Sequence, residues 1–378
     1  MKISVGFDER RALEVFEILE KGWKEKSGIF EGIILPQDRG PLPENPLDLS
    51  LFLFYAAMFM RGGVISEDPF KWLHSLRREI PEIFNPGIVV NNFSSDNIEN
   101  IFKGVTERNS DGENKTRGLE SFLYKMKEHS SAWIRNSRAL LFLADGNPLK
   151  LFEGAEDFEE VFAKIDKKKN GNGFSGMRRK IFSLFVIWLQ EKNLIKNMPC
   201  PLPIDFHALR VLWSTGIIDF NGLAPFETRN RHPEVLKGKT AVSIRERLIN
   251  EIAIWSQRFL AKNRMSHLAI NPALWILSRN LCSRNFQNSS SQNGAILIEP
   301  EDLIRDLRNW PARYKNPCAV CPIEGECAAV VPAAPYYRWG ILLKMKRVAY
   351  PEPQMLLPGI RPEAFFPLSR RSRNKEKK

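Results

Sequence analysis

At 378 residues the chain is long enough for two domains, and a hydrophobic share of 43% with 25 Phe and 9 Trp supplies a sizeable core. That composition excludes intrinsic disorder as the default state. Lys and Arg number 56 against 44 Asp and Glu, a formal charge of +12, which favours a polyanionic partner through counterion release, nucleic acid above all.

The opening segment, Met1-Lys-Ile-Ser-Val-Gly-Phe-Asp-Glu, places charge where a secretory leader needs its apolar run. The longest apolar stretch, Leu51 to Met60, is too short to span a bilayer and reads as a buried helix. A cytoplasmic protein with no membrane partner is therefore expected. Apolar residues recur at helical spacing over 9–25, 47–61, 118–146, 155–166, 177–193, 205–215, 241–262 and 269–282. Breakers separate them: Pro41, Pro43 and Pro46, then Gly62-Gly63, then Gly171 and Gly173. In the 118–146 helix, Trp133, Asn136, Ser137 and Arg138 are candidates to line a pocket, but are read instead as the inner face of a core helix. Two polar stretches, 107–117 and 286–294, nearly lack apolar anchors and read as surface loops. Arg370 to Lys378 carries six Lys or Arg and no apolar side chain, so it reads as a disordered basic tail. Long alternating runs are scarce and no internal repeat is found. The fold class expected is all-α.

Five cysteines (Cys200, Cys282, Cys318, Cys321 and Cys327) in a chain read as cytoplasmic are poor disulfide candidates. Cys318-Ala-Val-Cys321-Pro-Ile-Glu-Gly-Glu-Cys327 puts three thiols on one tight loop. Soft thiolates gathered this way suit zinc or an iron–sulfur cluster, and either needs four ligands. Two residues are available as the fourth. Cys282 ends an apolar helix, and Cys200 sits in the Pro-rich turn Pro199-Cys-Pro-Leu-Pro203.

Ser278-Arg-Asn-Leu-Cys282 followed by Cys318, Cys321 and Cys327 resembles the end of the helical domain in endonuclease III and the adenine-specific mismatch glycosylases. There a Gly-Arg-x-x-Cys helix and a C-x2-C-x5-C loop hold a [4Fe–4S] cluster. One departure is large: 35 residues separate Cys282 from Cys318, where the family has a short loop. Closure entropy tolerates this, since each doubling of a loop adds only about 0.6 kcal/mol.

Two more segments match the same family in the same order. Phe174-Ser-Gly176-Met-Arg178-Arg-Lys180-Ile is similar to the hairpin of the helix–hairpin–helix motif, Leu-Pro-Gly-x-Gly-x-Lys. A glycine turn at a helix start points amide N–H groups at a phosphate and anchors DNA without reading sequence. Here Ser175 replaces the Pro and Arg178 replaces the second Gly; Arg178 offers its own charge in exchange for that glycine's backbone freedom. Pro203-Ile-Asp205-Phe-His207-Ala-Leu-Arg210-Val211, with Gly216 beyond, resembles the Val-Asp-Thr-His-x-x-Arg-Val…Gly stretch that carries the family's catalytic aspartate. Read on its own, Asp205 after a proline turn is a helix N-cap, and the two roles are compatible. His207 and Arg210, one turn apart, share a helix face, and His207 reads as an orienting group.

The resemblance covers roughly 130–330; residues 1–120 and 340–378 show no such resemblance. It implies a two-domain helix–hairpin–helix glycosylase-like fold with a four-cysteine cluster loop. The expected domains are an N-terminal helical segment over 1–44, a bundle over 45–202 ending in the hairpin, a cluster domain over 203–340, and an extension over 341–378. Between bundle and cluster domain a cleft is expected, with Lys180 on one wall and Asp205 on the other. The activity implied is that of a base-excision DNA N-glycosylase, acting as a monomer on double-stranded DNA. Asp205 would stabilise the oxocarbenium-like sugar as the base leaves. Lys180, as a neutral amine, would form a Schiff base and give an associated AP-lyase activity. Gly176, Arg178, Arg179, His207 and Arg210 would contact DNA. The cofactor implied is a [4Fe–4S] cluster on Cys282, Cys318, Cys321 and Cys327, with zinc as the alternative. Two other functions fit the same residues: a glycosidase acting on a modified nucleoside, nucleotide or RNA, and a non-catalytic iron–sulfur protein that binds nucleic acid.

Overall fold

The computed structural model describes residues 4–60, 67–109, 126–166, 171–221, 238–279 and 321–327. Among them the chain is mostly helical, with eleven α-helices and a single two-stranded sheet. None of the helices is long and apolar enough to cross a membrane. The chain divides into two compact units, one built on Ile34–Pro203 and the other on the residues before Ile34 and those after Pro203.

The Ile34–Pro203 unit is organised around α2 (Pro46–Phe59). Asn45 caps it by accepting from Leu47 N and Asp48 N, Pro46 takes the first helical position, and every residue from Leu49 to Phe59 is buried. A helix that is apolar all round must be covered on all sides. It packs against α3 (Glu67–Glu79), α6 (Met126–Ala144) and α8 (Arg179–Glu191). The other helices are α4 (Pro86–Asn92), α5 (Ser95–Asn109) and α7 (Phe158–Ile165), and α6 also packs on α4 and α5. Aromatic rings fill the interior. Tyr55 stacks on Trp133 with centroids 3.8 Å apart, and Phe59, Phe84 and Phe102 surround Trp133. The polar atoms of this cluster are satisfied: Tyr55 Oη pairs with Ser137 Oγ at 2.7 Å, Ser137 Oγ donates to Trp133 O, and Trp133 Nε1 donates to Ile83 O at 3.0 Å. Trp133, Asn136 and Ser137 are thus buried as expected, but Arg138, expected on the same inner face, is exposed and points away from the core.

In the second unit β1 (Ser4–Phe7) pairs antiparallel with β2 (Ile218–Asn221), Ser4 opposite Asn221 and Phe7 opposite Ile218. Asp8 then caps α1 (Glu9–Lys24), accepting from Arg11 N at 2.9 Å. Ala12, Val15, Phe16 and Leu19 form the buried stripe of α1 at i, i+3, i+4 and i+7. That stripe packs on α11 (His267–Leu277), which also meets α9 (Phe206–Ser214). Phe7 stacks on Trp255 of α10 (Gly238–Lys262), with centroids 4.6 Å apart.

The helices expected over 9–25, 47–61, 155–166, 177–193, 205–215 and 241–262 correspond to α1, α2, α7, α8, α9 and α10. Helices α3 to α5 and the strand pair were not expected. The 118–146 helix is described from Met126, and 118–125 lies outside the described residues. The expected 107–117 loop begins in the last turn of α5, and its remainder lies outside them, as do the 286–294 loop and the tail from Arg370.

Candidate active-site and metal-ligating residues

The 174–180 segment forms a turn leading into α8. Gly176 has φ of 76°, in the left-handed region that glycine tolerates. Phe174 N donates to Ile165 O at 2.9 Å, and Phe174 and Met177 are buried. Arg178 is the N-cap of α8 in an extended conformation, its side chain exposed and making no cap hydrogen bond. Arg179 turns the other way. It forms a bidentate ion pair with Glu159, with Nη2 2.8 Å from Oε2, and lies 4.6 Å from the Phe162 ring centroid. Its guanidinium therefore ties α8 to α7. Lys180 is half-buried, and among the described residues its Nζ has no hydrogen-bond or ion-pair partner.

Asp205 is the N-cap of α9. Its Oδ1 accepts from His207 N at 2.8 Å and from Ala208 N at 3.0 Å, which fixes the carboxylate plane. Its Oδ2 has no hydrogen-bond partner among the described residues, and the side chain is half-buried. The cap thus occupies one oxygen of the carboxylate and leaves room for a second role at the other.

His207 and Arg210 do share a face, and that face is turned inward. Both are buried; His207 Nδ1 hydrogen-bonds Ser278 Oγ at 3.1 Å, and Arg210 Nη1 donates to Ser278 O at 3.2 Å and to Ser278 Oγ at 3.3 Å. Ser278 follows directly on α11, so its carbonyl belongs to the helix end where partial negative charge gathers. A guanidinium is stabilised there. The neighbouring Arg279 is also buried, with its guanidinium carbon 4.8 Å from the Trp275 ring centroid. Sequence reasoning missed Ser278 as the hub of this seam. The signal was present in the Ser278-Arg279 pair, which opens the segment that ends at Cys282.

Of the four cysteines expected to hold a metal, Cys321 and Cys327 are described; Cys282 and Cys318 lie outside the described residues. Cys321 and Cys327 are half-buried at the two ends of a segment holding a single 3₁₀ turn, Glu324–Glu326. Ile323 is buried beneath that turn, and Glu326 forms an ion pair with Arg11 of α1. Among the described residues no three Cys, His, Asp or Glu side chains are gathered to hold a metal ion. The alternative ligand Cys200 is a poor donor. It is fully buried, its thiol lies 3.6 Å from Ser183 O, and burial pushes its pKa well above the ordinary thiol value. A metal ligand must be a thiolate, a form that this burial disfavours.

No protein-family model matches this chain, and no curated protein matches it either.

Proposed function

We propose that this protein is a base-excision DNA N-glycosylase that carries a [4Fe–4S] cluster. One observation carries the reading: a half-buried carboxylate, Asp205, with one oxygen fixed by two backbone amides and the other without a hydrogen-bond partner among the described residues. Loss of a base from deoxyribose develops positive charge on the sugar, and a preorganised carboxylate oxygen stabilises that charge without reorganising in the step. His207 and Arg210 serve this reading as supports rather than as DNA contacts. Their bonds to Ser278 hold the start of α9, and with it the carboxylate, in one orientation.

Arg178 and Lys180 supply the cations of this reading. In this reading Arg178 contacts a DNA phosphate, and Lys180 Nζ is the amine that attacks the sugar carbon once the base has left. The Schiff base then forms with loss of water, and strand scission follows. The cluster would be held by Cys282, Cys318, Cys321 and Cys327, and it would supply a rigid anionic brace for the loop.

The deciding experiment is a panel of duplex oligonucleotides carrying damaged bases, run with the wild type and with Asp205→Asn. Asparagine caps a helix as well as aspartate does, so the variant should fold and bind normally. Removal of the charge should slow excision by about 1000-fold, the scale seen when one electrostatic stabiliser is lost. Excision at the wild-type rate by Asp205→Asn would overturn the assignment. A second reading, hydrolysis of a modified nucleoside, nucleotide or RNA, is favoured by one observation: Arg179 of the hairpin is already engaged by Glu159. The same panel, extended to single nucleotides, separates the two.

A further inference from the structure

Asn136 is fully buried in α6, yet its amide reaches out of the core to a loop 39 residues further along the chain. Its Oδ1 accepts from Ser175 N at 2.6 Å, and its Nδ2 donates to Ser175 O at 3.1 Å. A side-chain amide that pairs with both the N–H and the C=O of one residue fixes the two peptide planes flanking that residue. Unpaired, a buried amide costs about 1–3 kcal/mol, so Asn136 is tolerated in this interior only with Ser175 where it is.

The consequence falls on the next residues. Ser175 immediately precedes Gly176, whose φ of 76° sets the direction of the chain into α8. The base of the turn is fixed by the Asn136 amide, by the bond from Phe174 N to Ile165 O, and by the buried side chains of Phe174 and Met177. Its tip is open, with Gly176 and Arg178 both exposed. A connector between two helices does not require a rigid base under an exposed, cationic tip. A surface that must meet a ligand in one geometry does, because ordering it beforehand removes that entropic cost from binding.

We propose that Asn136 is a positioning residue, which locks the 174–177 turn so that Arg178 and Lys180 are presented to a DNA backbone in a single arrangement. The inference rests on the nucleic-acid reading above. It is independent of Asp205, because nothing in it concerns the bond that is broken.

The test uses the full chain and a labelled duplex carrying one abasic site, with affinity measured by anisotropy over a series of salt concentrations. Amide hydrogen exchange over 174–180 and thermal unfolding are followed on the same samples. Asn136→Ala removes both bonds. Asn136→Asp keeps the acceptor for Ser175 N but sets a carboxylate against Ser175 O. We expect Asn136→Ala to bind about 10-fold more weakly, with a salt slope lower by about one phosphate contact and faster exchange confined to 174–180. Asn136→Asp should fall between it and the wild type, and it carries the test alone if Asn136→Ala does not fold. Wild-type affinity in a folded variant, or exchange that rises across α2 and α6 together, overturns the positioning role while leaving the glycosylase reading intact. A wild type whose binding shows no salt dependence sinks both.

Discussion

Between Ile34 and Pro203 the interior is an aromatic cluster at whose centre the polar atoms of Tyr55, Ser137 and Trp133 are tied to neighbouring hydroxyl or backbone groups. In the other unit the interface of α9 with α11 is polar, with His207, Arg210 and Arg279 buried around Ser278. The two arrangements do different work. Aromatic burial is large and non-directional; it stabilises strongly and tolerates small shifts. A buried polar seam adds little net stability, but it penalises any register in which its donors and acceptors fail to meet. On this reading Asp205 is placed by specificity, and the 174–177 turn is placed by a core reached through one amide.

The largest expected effect in breaking this contrast comes from Trp133→Ala. It removes a fully buried ring stacked on Tyr55 and leaves Ile83 O without its donor. Stability should fall by about 4 kcal/mol, read as a lower urea midpoint with exchange rising through α2, α5 and α6. A loss under about 1 kcal/mol would mean that the aromatic cluster does not carry this unit.

What the sequence disclosed follows the same line. Helices α1, α2, α8 and α9 were legible because each has an apolar period, a cap or a breaker within its own length, such as Asp8, Asn45-Pro46 or Asp205. Helix α5 carried the same signal in Ile98, Phe102 and Val105, all buried, and α4 announced itself by Asn85-Pro86. Both were masked by the surrounding prolines and polar residues. The strand pair was not legible, since four-residue strands more than 200 residues apart have no local signature. At the candidate site the residue types were legible and their directions were not. Spacing put His207 and Arg210 on one face, but only the placement of Ser278 shows that this face looks inward.

The second prediction sharpens the comparison through pH. His267 opens α11, and burial lowers its pKa from 6.5 to about 4. Between those values the unfolded chain holds more proton than the folded one. The contribution of neutral His267 is therefore complete above about pH 6.5, declines as the pH falls toward 4, and is constant below that, amounting to at most about 3 kcal/mol. His74 in the aromatic unit shifts the same way through burial, but it is only half-buried and bonded to Arg39 O at 2.8 Å. Acid should loosen the α9–α11 unit first, and His267→Gln should flatten that decline. Equal acid sensitivity of the two units in exchange measurements, or no change in His267→Gln, would remove the distinction.

The smallest expected effect on stability concerns the tie between α1 and the cysteine loop. Arg11 pairs with Glu326, one residue before Cys327, and both side chains are partly exposed, at 34% and 29%. Exposed pairs of this kind contribute under about 1 kcal/mol, so Arg11→Ala should leave the melting temperature nearly unchanged. Its effect on the loop should be larger, because the Arg11–Glu326 pair and buried Ile323 both tie the 321–327 turn to the unit. If that turn carries two ligands of a [4Fe–4S] cluster, Arg11→Ala should lose visible absorbance to a chelator several-fold faster than the wild type. The two readouts must separate. Faster loss of colour at unchanged stability assigns the ion pair to the metal loop, whereas equal chelation rates reduce it to an ordinary surface contact.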